Sequence, residues 1–295
     1  MAVSLVKEGH MNQVDQMRRM WAKARSIHEQ QMEKANQLSQ VDPAIAREMV
    51  ESGNGDTDKI QVSKKTIPAS RLKPSQTTMV LAKSLGMALF MLKKGQVGGD
   101  LGALISADNY IMDGHHRWSA AVLAGGKSAQ VGGYMARVRG EDLLKVLNVL
   151  TVGKFKRNKG NAGSGSLSGY TPSKTRAMLQ KFTVEGIPGQ FPWKPEDVKS
   201  VLESSFGTVE AGIAEISSNA DLITKSVPSW APARPDMPVI NPGEVPAAAK
   251  SLQRGEVDWS PDFKKAFRED LTRLAHQHPE LRSSLLPVLR GTPSR

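Results

Sequence analysis

Residues 103–126 read ALISADNYIMDGHHRWSAAVLAGG, and the reading of this stretch decides the fold. Residues 103–106 and 110–112 are short apolar runs separated by Ala107-Asp108-Asn109, a turn-forming cluster, so the spacing predicts a β-hairpin. The period then changes: Trp118, Ala121, Val122 and Leu123 recur at helical spacing, and Gly125-Gly126 stops the helix. Asp113 and Gly114 therefore lie at a strand-to-helix junction, with His115, His116 and Arg117 at the start of the helix.

Such a junction suits an anion. The first N–H groups of a helix lack intrahelical partners, and the helix dipole leaves partial positive charge there. Gly114 allows close approach of a ligand to the backbone, Arg117 can fork two hydrogen bonds onto a phosphate, and the histidines can donate, accept or hold a metal. The plainer alternative makes Asp113 a helix cap, with His116 and Arg117 as solvated first-turn residues. Cationic side chains in a first turn oppose the dipole, so their grouping asks for an anionic partner.

The Asp-Gly-His-His-Arg element after a hairpin, with Leu72-Lys73-Pro74-Ser75-Gln76 upstream, resembles the ParB/sulfiredoxin superfamily, in particular ParB-like proteins of phages and bacteria. The resemblance covers residues 59–150. It implies an α+β fold, a small mixed sheet-and-helix module. It also implies a phosphate site made by Gly114 and Arg117, with Lys73, Ser75 and Gln76 contributed by the upstream loop, and a charge-stabilising catalytic role for His115 or His116; beside them Asp113 is the only acid placed to act. Relatives of this kind use CTP or ATP, so a nucleoside triphosphate is the implied cofactor, with or without Mg2+. Sulfiredoxins need a cysteine beside the phosphate site. This chain has no cysteine and carries His115 in that neighbourhood, which rules out repair chemistry of that type, disulfides and thiolate metal sites.

Outward from the junction, residues 59–63 and 66–67 read as strands, 77–93 as a helix with Val80, Leu81, Leu85, Leu89 and Leu92 on one face, and 96–101 as a flexible connector. Residues 129–138 read as a strand and 143–150 as a helix. On the N-terminal side, residues 5–38 carry an apolar thread (Val14, Met17, Trp21, Ala24, Ile27 or His28, Met32, Ala35, Leu38) at spacings of three and four, the mark of an amphipathic helix. Asp42-Pro43 opens a second helix, and residues 1–58 form a helical extension. Residues 151–171 read as a mobile, basic Gly/Ser-rich linker in which Lys154, Lys156, Arg157 and Lys159 are candidates for nucleic-acid contact. Residues 172–295 form a helical C-terminal region interrupted at 226–247 by six prolines, an extended arm for which Trp230 and Met237 are anchors. A final helix pair is expected over 261–289. His276 and His278, two residues apart, share no helical face, so no metal site is expected.

The net charge of +11 is concentrated. Residues 59–160 hold 17 Lys/Arg against 5 Asp/Glu, whereas residues 1–58 hold 7 against 9 and residues 161–295 hold 16 against 15. The concentration suits a polyanion, nucleic acid or nucleotide. No apolar run reaches the roughly eighteen residues of a membrane span and no signal-peptide core follows Met1, so a soluble protein of the cytoplasm is expected, or of the virion if phage-encoded. Two functions remain open. One is a nucleotide- or nucleic-acid-binding protein that hydrolyses NTP, transfers phosphate or cleaves nucleic acid. The other is a non-catalytic phage assembly or partition protein that self-associates, or holds a protein partner, through its N-terminal helix and proline-rich arm. Phosphotransfer to a small hydroxyl lacks an upstream base, because residues 59–99 contain no Asp or Glu.

Overall fold

The computed structural model describes residues 25–53, 55, 58–160, 165–188 and 192–259, with isolated positions between 15 and 23 and between 272 and 282. The expected helix pair over 261–289, and Val14, Met17, Trp21 and Ala24 of the N-terminal thread, lie outside the described residues. The hairpin and the helix after it are present. Strands β1 (Val62–Pro68), β2 (Lys73–Pro74), β3 (Gly99–Ser106), β4 (Tyr110–Asp113) and β5 (Gln130–Ala136) form one sheet in the order β1-β5-β3-β4-β2. Pairs β1/β5 and β3/β4 are antiparallel, while β3/β5 and β2/β4 are parallel, which makes the sheet mixed. The helices are α1 (25–34), α2 (Pro43–Glu51), α3 (Leu81–Lys93), α4 (His115–Gly125), α5 (Gly140–Gly153), α6 (Pro172–Glu185), α7 (Pro195–Phe206), α8 (Val209–Asn219) and α9 (Val245–Arg254). The α+β class expected from the sequence holds.

Alternation along the central strands explains why both sheet faces are covered. Ala103 and Ile105 of β3 and Ile111 of β4 join a core with α3, α4, α6, α7 and α8; Leu104 and Met112 join a second core with α2, α5 and α9. The N- and C-terminal extensions are therefore layers of the same body: Ala35, Leu38, Ala46 and Met49 fill the second core, and Leu179, Val198 and Ile213 fill the first. The described end of the N-terminal thread, from His28 to Leu38, packs on its own chain. His28 is buried, with Nε2 2.6 Å from the Asp258 carbonyl, while Ile27 stays exposed.

Several boundaries differ from the sequence reading. The two short strands at 59–63 and 66–67 are one strand, because β1 pairs with β5 from Val62 to Pro68 without a break. Residues 99–101 belong to β3 and are not a connector; a register shift between Asp100 and Ala103 accommodates glycines 99 and 102 at positive φ. Helix α5 runs to Gly153, into the supposed linker. Helix α9 follows the arm, with Pro246 in its first turn, where a missing N–H costs nothing.

The basic segment after α5 is fastened down. Arg157 makes two 2.5 Å bonds to the Glu244 carboxylate and donates to the Val239 carbonyl at 3.0 Å, and Lys154 pairs with Glu256 at 2.5 Å. Gly160 N–H donates to the Pro235 carbonyl at 3.0 Å. Residues 161–164 lie outside the described residues.

A candidate anion cleft at the strand-helix junction

Asp113 ends β4 and Gly114 turns the chain into α4 with φ +99°, a conformation that only glycine adopts cheaply. A Cβ at Gly114 would also meet Arg117 Nη2 at 3.2 Å and Ala103 Cα at 3.4 Å. Gly114→Ala is expected to cost about 1–3 kcal/mol, the range for non-glycine residues held in such backbone. Urea denaturation checks this, and an unchanged midpoint would mean that the junction relaxes freely.

Both histidines turn inward and clasp the 75–80 loop. Ser75 N–H donates to His115 Nε2 at 3.2 Å, and Val80 N–H donates to His116 Nε2 at 3.1 Å. A neutral imidazole that accepts at Nε2 carries its proton on Nδ1, so the clasp sets the tautomer of each ring. Burial pushes the His115 pKa well below its ordinary value, with the His116, Arg234 and Arg117 charges adding to it. Burial, then Arg234, Lys83 and Arg117, lowers His116 to about 3. This clasp also explains why α3 begins at Leu81 and not at Thr77 as the apolar spacing suggests. The backbone N–H of Val80 is taken by an imidazole, and Gln76 Nε2 donates to the Thr78 carbonyl at 2.8 Å, holding the loop out of helix.

Arg117 reaches back four residues to Asp113, with Nη2 and Oδ2 2.6 Å apart and both side chains 19 % exposed. Burial raises the Asp113 pKa, and Arg117 opposes that shift. Arg117 Nε is buried without a partner.

The proline-rich arm crosses in front of this junction. Thr77 N–H donates to the Pro232 carbonyl at 3.1 Å, and Arg234 N–H donates to Thr78 Oγ1 at 3.0 Å. Trp230 stacks edge-on against Tyr110 at 5.1 Å, and Met237 is buried, so both expected anchors hold the arm. Between arm, α3 and junction lies a cleft of about 260 Å³. Lys83, Arg117 and Arg234 bring positive charge to its lining, and Met87, Met112, Met237, Pro238, Val239 and Ile240 supply apolar surface. Burial, then Arg234 and Arg117, lowers the Lys83 pKa.

Of the expected phosphate ligands, Gly114, Arg117 and Gln76 line the cleft, as do Asp113, His115 and His116. Lys73 and Ser75 are not brought to it. Lys73 is exposed with Nζ 4.9 Å over the Tyr110 ring, and Ser75 Oγ is buried and donates to the Ile111 carbonyl at 2.5 Å. Lys154 and Arg157 are spent on Glu256 and Glu244, and Lys156 and Lys159 are exposed elsewhere. Lys83 and Arg234 were not legible in advance. Lys83 is one lysine on a helix read for its apolar face, and Arg234 sits in an arm whose path no local pattern specifies.

A nucleotide fits this lining, with cations for phosphate and methionine and proline side chains for a less polar part. A resident Mg2+ does not. Asp113 is the cleft's lone carboxylate and one of its oxygens is held by Arg117, and among the described residues no three His, Cys, Asp or Glu side chains converge on a metal position. No helix among the described residues is long and apolar enough to cross a membrane. No family model matches the chain, and no curated protein or solved structure matches it significantly.

Proposed function

We propose that this protein binds a nucleotide in the cleft, phosphate end toward the start of α4. The observation that carries this reading is the convergence of Lys83 from α3, Arg117 from α4 and Arg234 from the arm around one carboxylate, beside a helix start that no side chain caps. The ParB-like resemblance of the junction motif points the same way and adds CTP and ATP as the first ligands to try. The lining supports binding over turnover. Each histidine has given its Nε2 lone pair to a backbone N–H, His116 is too weak a base to take a proton near neutrality, and Asp113 is held by Arg117.

Calorimetry with ATP, CTP and GTP, each with and without magnesium, tests the reading. Binding is expected, with Lys83→Ala and Arg234→Ala each weakening it about ten- to a hundredfold, the loss of one charge-assisted bond. Absence of binding, or variants that bind like the parent, would overturn it. Nucleic acid is the second reading, because exposed lysines remain across residues 59–160. It requires a steep loss of affinity with salt that nucleotide does not compete away.

A further inference from the structure

The charges around the cleft specify more than an anion. Six titratable groups face it: Lys83 from α3, Asp113 from β4, His115, His116 and Arg117 from α4, and Arg234 from the arm. Asp113 and Arg117 neutralise each other at 2.6 Å. No carboxylate pairs with Lys83 or Arg234 among the described residues. Both histidines accept from backbone N–H groups and are held neutral by burial, so neither adds charge. Two uncompensated cations remain, contributed by two elements distant in sequence.

We infer that the cleft selects a terminal, doubly charged phosphate on a small molecule over the singly charged phosphodiester of a nucleic-acid backbone. The inference rests on the reading of this cleft as a phosphate site and narrows it. A dianion neutralises Lys83 and Arg234 together, whereas a diester leaves one cation unmatched. Size argues the same way: at about 260 Å³ the cleft falls below the roughly 300–1,000 Å³ that encloses a drug-sized ligand, so it holds a phosphate and its near neighbour while the rest of the molecule projects out. The lining also lacks any Phe, Tyr or Trp on which successive bases of a single strand would stack.

The pH dependence follows from the ligand. The second ionisation of a phosphate monoester lies near pH 6, so the preferred dianion is lost as pH falls through that value. Protonation of Asp113 would act in the opposite direction, since it removes a negative charge from the cleft. A cyclic diester does not titrate in this range, and its profile reports the protein alone.

The test is calorimetry on the full chain with AMP, CMP and GMP, each beside its 3′,5′-cyclic counterpart, at pH 7.5 and pH 5. At pH 7.5 at least one monophosphate should bind about tenfold or more tightly than its cyclic form, an advantage of roughly one charge-assisted bond. That advantage should shrink at pH 5, and Lys83→Gln or Arg234→Gln should reduce it while affecting the cyclic form less. Equal binding of monoester and cyclic diester, or a ratio that does not change with pH, would overturn the inference while ATP or CTP binding still upheld the nucleotide reading. If no nucleotide binds at all, both fall together.

Discussion

Acidification should destabilise this protein progressively as pH falls from about 6.5 toward 3, and the two buried histidines of the junction should account for a large share of the loss. In the folded chain His115 and His116 are neutral because burial and nearby cations disfavour the imidazolium, whereas in the unfolded chain each titrates near its ordinary 6.5. A folded pKa below the unfolded one means that the unfolded state binds more protons in the interval. The stabilisation is therefore complete above pH 6.5 and is lost as pH drops toward the folded value. For His116, the difference between 6.5 and about 3 corresponds to of order 5 kcal/mol at the acid end. His28 runs the other way. Its pKa is raised; burial, the largest influence, would lower it, but the hydrogen bond and charge of Asp258 outweigh that, so its contribution is present at low pH and lost as pH rises. Urea denaturation of the parent and of His116→Ala from pH 8 to pH 4 checks the expectation. The variant should lose about 1–3 kcal/mol at neutral pH, because Val80 N–H is left without its acceptor, and should show a shallower decline with acid. The same pH slope in both proteins would remove His116 from the account.

The second large effect concerns Arg117. The plainer reading of the sequence leaves Arg117 a solvated first-turn residue, but the structure ties it to a carboxylate that burial already disfavours. Arg117→Ala should cost of order 3 kcal/mol, since it strands the Asp113 charge in a largely dry site. Asp113→Asn should cost less, because an amide is easier to bury than a carboxylate, and the double variant should be more stable than Arg117→Ala alone. Strict additivity in this cycle would show that the pair is not coupled. For the same reason, weak nucleotide binding by Arg117→Ala would be an ambiguous sign of a phosphate contact. Lys83 and Arg234 act on Asp113 through their charge but form no ion pair with it, so they are the better probes.

Local order was legible wherever short-range chemistry decides conformation. The turn at residues 107–109, the glycines at 125 and 126, and Asp42 before Pro43 each act within a few residues, and the structure places a hairpin, a helix end and an N-cap there. Apolar spacing located α3 and α5 but misplaced their ends. A helix stops where its backbone groups find other partners, and the partners of the 75–80 loop are imidazoles some forty residues away. The sequence by itself determined the hairpin-to-helix junction, the α+β class, the positive charge of the middle of the chain and the exclusion of thiol chemistry. Only the tertiary structure decided what that junction does with its residues. The histidines are turned into a clasp and Arg117 into the partner of Asp113, while the arm carries Arg234 back across more than a hundred residues to face Lys83. The physical reason is range. Turns, caps and periodicity are set by neighbours along the chain, but burial, ion pairing and the closing of a cleft depend on which distant segments cover the two faces of the sheet. No local pattern encodes the path of a proline-rich arm.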